Sequence, residues 1–274
     1  MAAEPAPDLP IAMFDSGVGG LTVLHECLVS LPAEDYVYLG DDARFPYGAR
    51  TEEQLRGHVE QISAYLTERG AKLLVIACNS AASAGREVAR EVANRAGIGV
   101  VTVIDPEAEI AASLSQSGNV GVLATPATVR SGSYLRALAA QQRALTVTEV
   151  EAPDLAAVIQ RGFPFSESVV EMVRSYCEPL KRAEVDTVIL GCTHYPLVRP
   201  MLQRILGRDI HLVTAGHAIA ATIERTLAGA GLSTPSDEEG RYRFICTGDP
   251  DGFRELGTRF LQLPLGDVER VDLP

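Results

Sequence analysis

Short apolar runs alternate with longer helical stripes along most of the chain. Ile11-Ala12-Met13-Phe14 reads as a strand that stops at Asp15-Ser16-Gly17-Val18-Gly19-Gly20, after which Leu21, Leu24, Leu28 and Leu31 recur at helical spacing. Tyr36 to Leu39 is the next strand, and it runs into a turn-rich segment from Gly40 to Gly48. Thr51 and Gln54 match a capping box ahead of a helix carrying Leu55, Val59, Ile62 and Leu66, with Gly70 as its stop. The buried strand Leu73 to Ala77 then delivers Cys78-Asn79-Ser80 to the start of another helix. Such alternation predicts βαβ units on a parallel sheet.

The pattern restarts at Val120-Gly121-Val122-Leu123, which leads into Thr125 and a helical segment from Ser131 to Ala140. Ser166 opens a stripe of Val169, Val170, Val173, Tyr176, Cys177 and Leu180, and the strand Val185 to Leu190 presents Gly191-Cys192-Thr193-His194. Asp15 to Cys78 spans 63 residues and Thr125 to Cys192 spans 67, so the two halves read as divergent copies. The expected fold is therefore α/β: two similar doubly wound parallel-sheet domains rather than one eight-unit barrel. Residues 1–10 are expected as a loose tail, 11–104 with 212–274 as the first domain, and 105–211 as the second. The polar stretch Gly231 to Gly240 reads as a surface connection.

Composition narrows the function classes. At 274 residues, with 46% apolar and 22% charged residues, the chain is an ordinary globular one. Its 24 basic and 36 acidic residues give a net charge of −12, which offers no electrostatic footprint for nucleic acid. No apolar run approaches the ~20 residues that cross a bilayer, and the N-terminal segment lacks a basic start and an apolar stretch, so no secretory signal is expected. Five cysteines without a CxxC pair, in a chain expected to be cytoplasmic, argue against a disulfide framework. Cys27 and Cys177 lie on helical stripes and read as core, and Cys246 at a strand end reads as structural.

A parallel sheet gathers its reactive groups at the C-terminal ends of its strands. Asp15-Ser16, Cys78-Asn79-Ser80, Thr125 and Cys192-Thr193-His194 are expected there, and two facing domains would bring both thiols into one cleft. A cysteine at a helix N-terminus is expected to have a lowered pKa, favouring thiolate. A carboxylate and an imidazole beside two thiols are groups that can hold or relay protons. The turn DSGVGG lacks the spacing of a dinucleotide-binding or Walker loop, which leaves nucleotide binding weakly supported.

Five segments taken in order, FDSGVGGLTV, GDDARFPYG, VIACNSA, ATPATVRSGSY and LGCTHYPL, resemble the glutamate racemase family of the aspartate/glutamate racemase superfamily, from about Ile11 to Phe260. The resemblance implies two α/β domains related by pseudo-twofold symmetry and enclosing the substrate. It implies a cofactor-independent isomerase that interconverts L- and D-glutamate and supplies D-glutamate for bacterial peptidoglycan. Cys78 and Cys192 correspond to its two catalytic bases, and Asp15 and His194 to their polar assistants. Ser16, Tyr47, Gly48, Asn79, Ser80, Thr125, Thr128 and Thr193, with Asp15 and His194, correspond to substrate contacts. No metal or cofactor is implied. The expected partner is glutamate, without nucleic acid or membrane, and a homodimer is left open.

The chain departs from the family pattern at several places. Ser80 and Asp42 stand where threonine is frequent, and Ala152 and Gln160 stand where a cysteine and a glutamate are usual. An auxiliary acid at position 160 is therefore put in question. Competing readings are racemisation of another amino acid such as aspartate, a redox protein that joins Cys78 to Cys192, and a non-catalytic binder of acidic amino acids.

Overall fold

The computed structural model describes residues 5–163 and 166–274. Strands alternate with helices as the apolar pattern predicts. In the first half β1 (Ile11–Asp15) leads to α1 (Leu21–Ser30), β2 (Tyr36–Gly40) to α2 (Glu52–Glu68), β3 (Leu73–Ile76) to α3 (Asn79–Arg95), and β4 (Gly99–Thr102) to α4 (Ile104–Leu114). The series then repeats. β5 (Asn119–Ala124) precedes α5 (Pro126–Arg130) and α6 (Ser133–Ala139), and β6 (Thr146–Glu151) precedes α7 (Leu155–Gln160) and α8 (Glu167–Arg182). β7 (Thr187–Gly191) precedes α9 (Arg199–Leu206), and β8 (His211–Val213) precedes α10 (Ala215–Ala230). The chain closes with β9 (Tyr242–Cys246), α11 (Pro250–Leu261) and β10 (Val268–Arg270).

Two all-parallel sheets result, one ordered β10-β9-β2-β1-β3-β4 and the other β6-β5-β7-β8. In each, the second strand of the half lies beside the first, followed by the third and fourth, so β1 corresponds to β5 and β3 to β7. This is the duplicated, doubly wound α/β architecture expected from the sequence. β1, β3 and β7 are buried at every position because both sheet faces are covered, which is why they are continuous apolar runs rather than alternating ones. Cys27 and Cys177 are fully buried in the core on their helices, as is Cys246 at the end of β9.

Three details differ from the pattern-based reading. The helix expected from Ser131 to Ala140 is interrupted at Gly132, whose φ of +63° is left-handed and separates α5 from α6. β8 pairs with β7 through Val213, so the return to the first half comes after that residue rather than at 212. Although α4 follows β4 in the chain, it packs on β7, β8 and α6 and so belongs with the second half, and α10 packs on both α1 and α4, joining the halves. Finally, residues 5–10, assigned to a loose tail, are held in place, while residues 1–4 lie outside the described residues. The buried Lys72 ammonium donates to Pro7 O at 2.6 Å and to Thr234 Oγ1 at 2.9 Å, and it pairs with the buried carboxylate of Glu34.

The capping box at α2 is present, with Thr51 Oγ1 accepting from Gln54 N at 3.2 Å and Gln54 Oε1 accepting from Thr51 N at 3.1 Å. α2 packs against α3 at Gly85, where an added Cβ would lie 2.5–2.7 Å from three atoms of the Val59 side chain. Gly85→Ala is expected to destabilise the protein, because overpacking costs about 1–3 kcal/mol and outweighs the ~1 kcal/mol gained in helix propensity. Gly57→Ala on α2, where a Cβ meets nothing within 4 Å, should be neutral or stabilising. Urea unfolding of the two variants checks this; equal stabilities would show that α2 and α3 separate freely. Among the described residues no helix is long and apolar enough to cross a membrane.

Candidate active site

The loop after β1 crosses to the other half of the molecule. Gly19 has no room for a side chain: a Cβ there would stand 2.4 Å from Thr193 Oγ1 and 2.5 Å from His194 Nδ1. At Gly20 it would lie 2.6 Å from the Asp15 Cβ and 2.7 Å from the Tyr38 hydroxyl. These glycines thus serve the close approach of the two strand ends, which explains why their spacing matches no nucleotide loop. Thr22 Oγ1 donates to Thr193 O at 3.0 Å, and Thr193 Oγ1 donates to Asp15 Oδ2 at 3.1 Å. Asp15 Oδ1 accepts from Gly17 N at 3.0 Å and from Ser16 Oγ at 3.4 Å. Burial raises the Asp15 carboxyl to about 6, and these donors, Thr193 foremost, limit the rise.

Cys78 follows β3 as the N-cap of α3, and Cys192 follows β7, the corresponding strand of the other sheet. Both line one cavity, whose wall includes Ser16, Tyr47, Gly48, Asn79, Ser80, Thr125, Thr193 and His194. The Cys78 thiol donates to Ser16 Oγ at 3.6 Å, which continues the chain to Asp15. Cys192 Sγ lies 4.0 Å from His194 Nδ1. Contrary to the expectation from a helix N-terminus, neither thiol has a lowered pKa. Burial, reinforced by the nearby Asp15 carboxyl, pushes Cys78 up to about 12, against which the backbone N–H of Ala81 is insufficient. Cys192, followed by a short 3₁₀ turn rather than directly by an α-helix, is raised further, by burial first and then by the proximity of Cys78. Both shifts favour the protonated thiol.

His194 is buried between Phe45 and Phe260, with ring centroids 5.4 and 5.1 Å away. Burial pulls its pKa down to about 3, so the imidazole is neutral. Its Nε2 lies 2.8 Å from Gln160 Oε1, an acceptor, so Nε2 carries the proton and the Nδ1 lone pair faces the Cys192 thiol. Position 160 thus reaches the imidazole without bringing a charge to it.

Ser80 Oγ, from the first half, lies 2.8 Å from Thr125 Oγ1 and 3.4 Å from Thr128 Oγ1, from the second. Thr128 and Asp15 stand behind the cavity wall rather than in it, supporting Thr125 and Thr193 respectively. Gly48 packs on Thr125, where a Cβ would lie 2.7 Å from the threonine Cβ. The Tyr47 hydroxyl donates to Asp41 and is committed before any ligand arrives. Asp42 accepts from the backbone N–H groups of Thr247 and Gly248 at 3.1 and 2.8 Å, a fastening to the end of β9. Ala152 is fully buried; its carbonyl accepts from the Tyr195 hydroxyl at 3.2 Å. Among the described residues no group of three or more His, Cys, Asp or Glu is arranged to hold a metal ion.

Sequence reasoning missed Glu107 and Tyr134. Both are fully buried, and both hydrogen-bond to Asn79, beside Cys78. Glu107 sits in Asp105-Pro106-Glu107-Ala108-Glu109, where one inward acid among outward ones leaves no periodic signal.

Residues 20–223 match the Asp/Glu/Hydantoin racemase family model. A glutamate racemase of Mycobacterium tuberculosis is 42% identical over 267 residues, covering 97% of each chain. The chain belongs to the glutamate racemase family. A crystal structure of a glutamate racemase isoform from Bacillus anthracis superposes with a TM-score of 0.91 at 34% identity, covering 97% of this chain and 98% of that one. The glutamate racemase of Francisella tularensis, solved in complex with D-glutamate, superposes with a TM-score of 0.90 at 30% identity over the same shares. The likeness to these glutamate racemases spans both sheets, so the duplicated architecture is that of the family.

Proposed function

We propose that the chain interconverts L- and D-glutamate without a cofactor, using Cys78 and Cys192 as paired acid and base. The observation that carries this reading is their placement: equivalent strand ends of two copies of one fold put a thiol each into a single cavity. Inversion at Cα requires proton removal on one face and delivery on the other, and two like groups serve both directions. Family membership supplies glutamate as the substrate, and D-glutamate as a peptidoglycan precursor.

Each thiol has its own route for a proton. Cys78 is linked through Ser16 to Asp15, whose raised pKa brings the carboxyl closer to neutrality. Cys192 faces the Nδ1 lone pair of neutral His194. An incoming ammonium group stabilises a thiolate strongly in so enclosed a cavity, because the local dielectric is low. The cysteine acting as base first gives up its thiol proton, Cys192 to His194 Nδ1 or Cys78 through Ser16 to Asp15, and the thiolate so formed removes the α-proton while the other thiol donates to the opposite face. Charge developing at the substrate carboxylate is met by the hydroxyls of Ser80 and Thr125 and by N–H groups at the start of α3.

Incubation with L-glutamate in D₂O tests the reading. D-glutamate should appear carrying deuterium at Cα from the first turnover, while the remaining L-glutamate keeps its hydrogen. Product that retains the original hydrogen would point to a single shuttling base and end the paired-thiol assignment. Failure to form any D-glutamate would end the substrate assignment.

A further inference from the structure

We infer that Glu107 is a positioning residue that fixes the Asn79 amide so that its oxygen receives the substrate's α-ammonium. This rests on the reading of the cavity as a glutamate site. Asn79 lines that cavity next to Cys78 and is 2% exposed. Its Nδ2 donates to Glu107 Oε2 at 3.0 Å and to the Tyr134 hydroxyl at 2.7 Å, and the Tyr134 hydroxyl itself donates to Glu107 Oε2. Both amide protons are thereby used. Among the described residues, Asn79 Oδ1 is buried without a hydrogen-bond partner.

A buried amide oxygen left unpaired is destabilising, so a donor is expected there when the site is occupied. Of the groups on an α-amino acid with both carboxyls ionised, only the ammonium donates. Rotating the amide by half a turn would instead set Oδ1 against the Glu107 oxygen and leave Nδ2 towards the ligand, repelling the ammonium. Glu107, on α4, and Tyr134, on α6, come from the second half, whereas Asn79 is on α3 of the first. The triad therefore also ties the ammonium contact to the relative placement of the two halves. Asn79 also borders a neighbouring cavity that Glu107 lines together with Cys192 and Thr193.

The test compares glutamate with glutarate, which has both carboxylates and no amine, by calorimetric titration of the whole protein. Glu107→Ala is expected to weaken glutamate binding about tenfold and glutarate less than twofold, with kcat affected less than KM. Glu107→Gln retains an acceptor for Asn79 and Tyr134 and should restore glutamate binding to within about threefold of the unmodified protein. Tyr134→Phe removes one of the two amide partners and should give a smaller loss confined to glutamate, which keeps the test open if Glu107→Ala does not fold. Equal weakening of both ligands, or no change in either, overturns the inference. Glutamate binding that is selective in this way but without turnover would leave the positioning role standing and remove the racemase reading.

Discussion

Cys78→Ser and Cys192→Ser are each expected to lower racemisation by about a thousandfold or more. Positioned acid–base groups contribute roughly 10²–10⁴ in rate, and a serine hydroxyl in the same enclosed position ionises far less readily than a thiol. The two variants should nevertheless differ in an informative way. Each keeps one thiol on one face of Cα, so each should exchange the α-hydrogen of a single enantiomer with D₂O, with retention, and the two should choose opposite enantiomers. NMR of each variant with L- and with D-glutamate reads this directly. Near-normal turnover by either variant removes that cysteine from the mechanism, and exchange of the same enantiomer by both would place the thiols on one side of the substrate.

The second large effect concerns stability. Lys72 is completely buried, and its ammonium is held by Glu34, Pro7 O and Thr234 Oγ1, while Glu34 also accepts from Thr234 N at 2.9 Å and Thr234 Oγ1 at 2.8 Å. Lys72→Met removes the cation and leaves the carboxylate buried beside one threonine. Breaking a buried pair from one side costs about 3–5 kcal/mol, a large share of the 5–15 kcal/mol that typically separates folded from unfolded states. The double variant Lys72→Met with Glu34→Leu should recover much of the loss, since it leaves no unpaired charge. Urea unfolding measures both. A loss below about 1 kcal/mol for Lys72→Met would mean that Glu34 finds solvent and that the pair is not buried in the working protein.

Much of the fold could be read from the chain because its signals are local and periodic. Continuous apolar runs such as Leu73 to Ile76 mark strands covered on both faces, and Thr51 with Gln54 announces the start of α2. The matched positions of Cys78 and Cys192 made the duplication visible, and the strand order of the two sheets repeats it. What escaped depends on three-dimensional context. Helix-terminus reasoning places the thiol pKa values low because it sees only the local dipole, whereas enclosure by both halves dominates and raises them. Glu107 resembles any helix-surface acid in sequence, and only the packing of α4 against α6 turns it inward. The anchoring of residues 5–10 comes from a lysine more than sixty positions away.

The hydrogen bonds from Thr22 to Thr193 and from Thr193 to Asp15 join the two strand ends to which the proposed acid and base belong. A separation of the halves wide enough to let a molecule leave must stretch or break them, and closing must remake them. Under the proposed mechanism the contacts that organise the reacting groups also act as a latch on product escape, so that strengthening them would slow the exit step even as it steadied the chemical one.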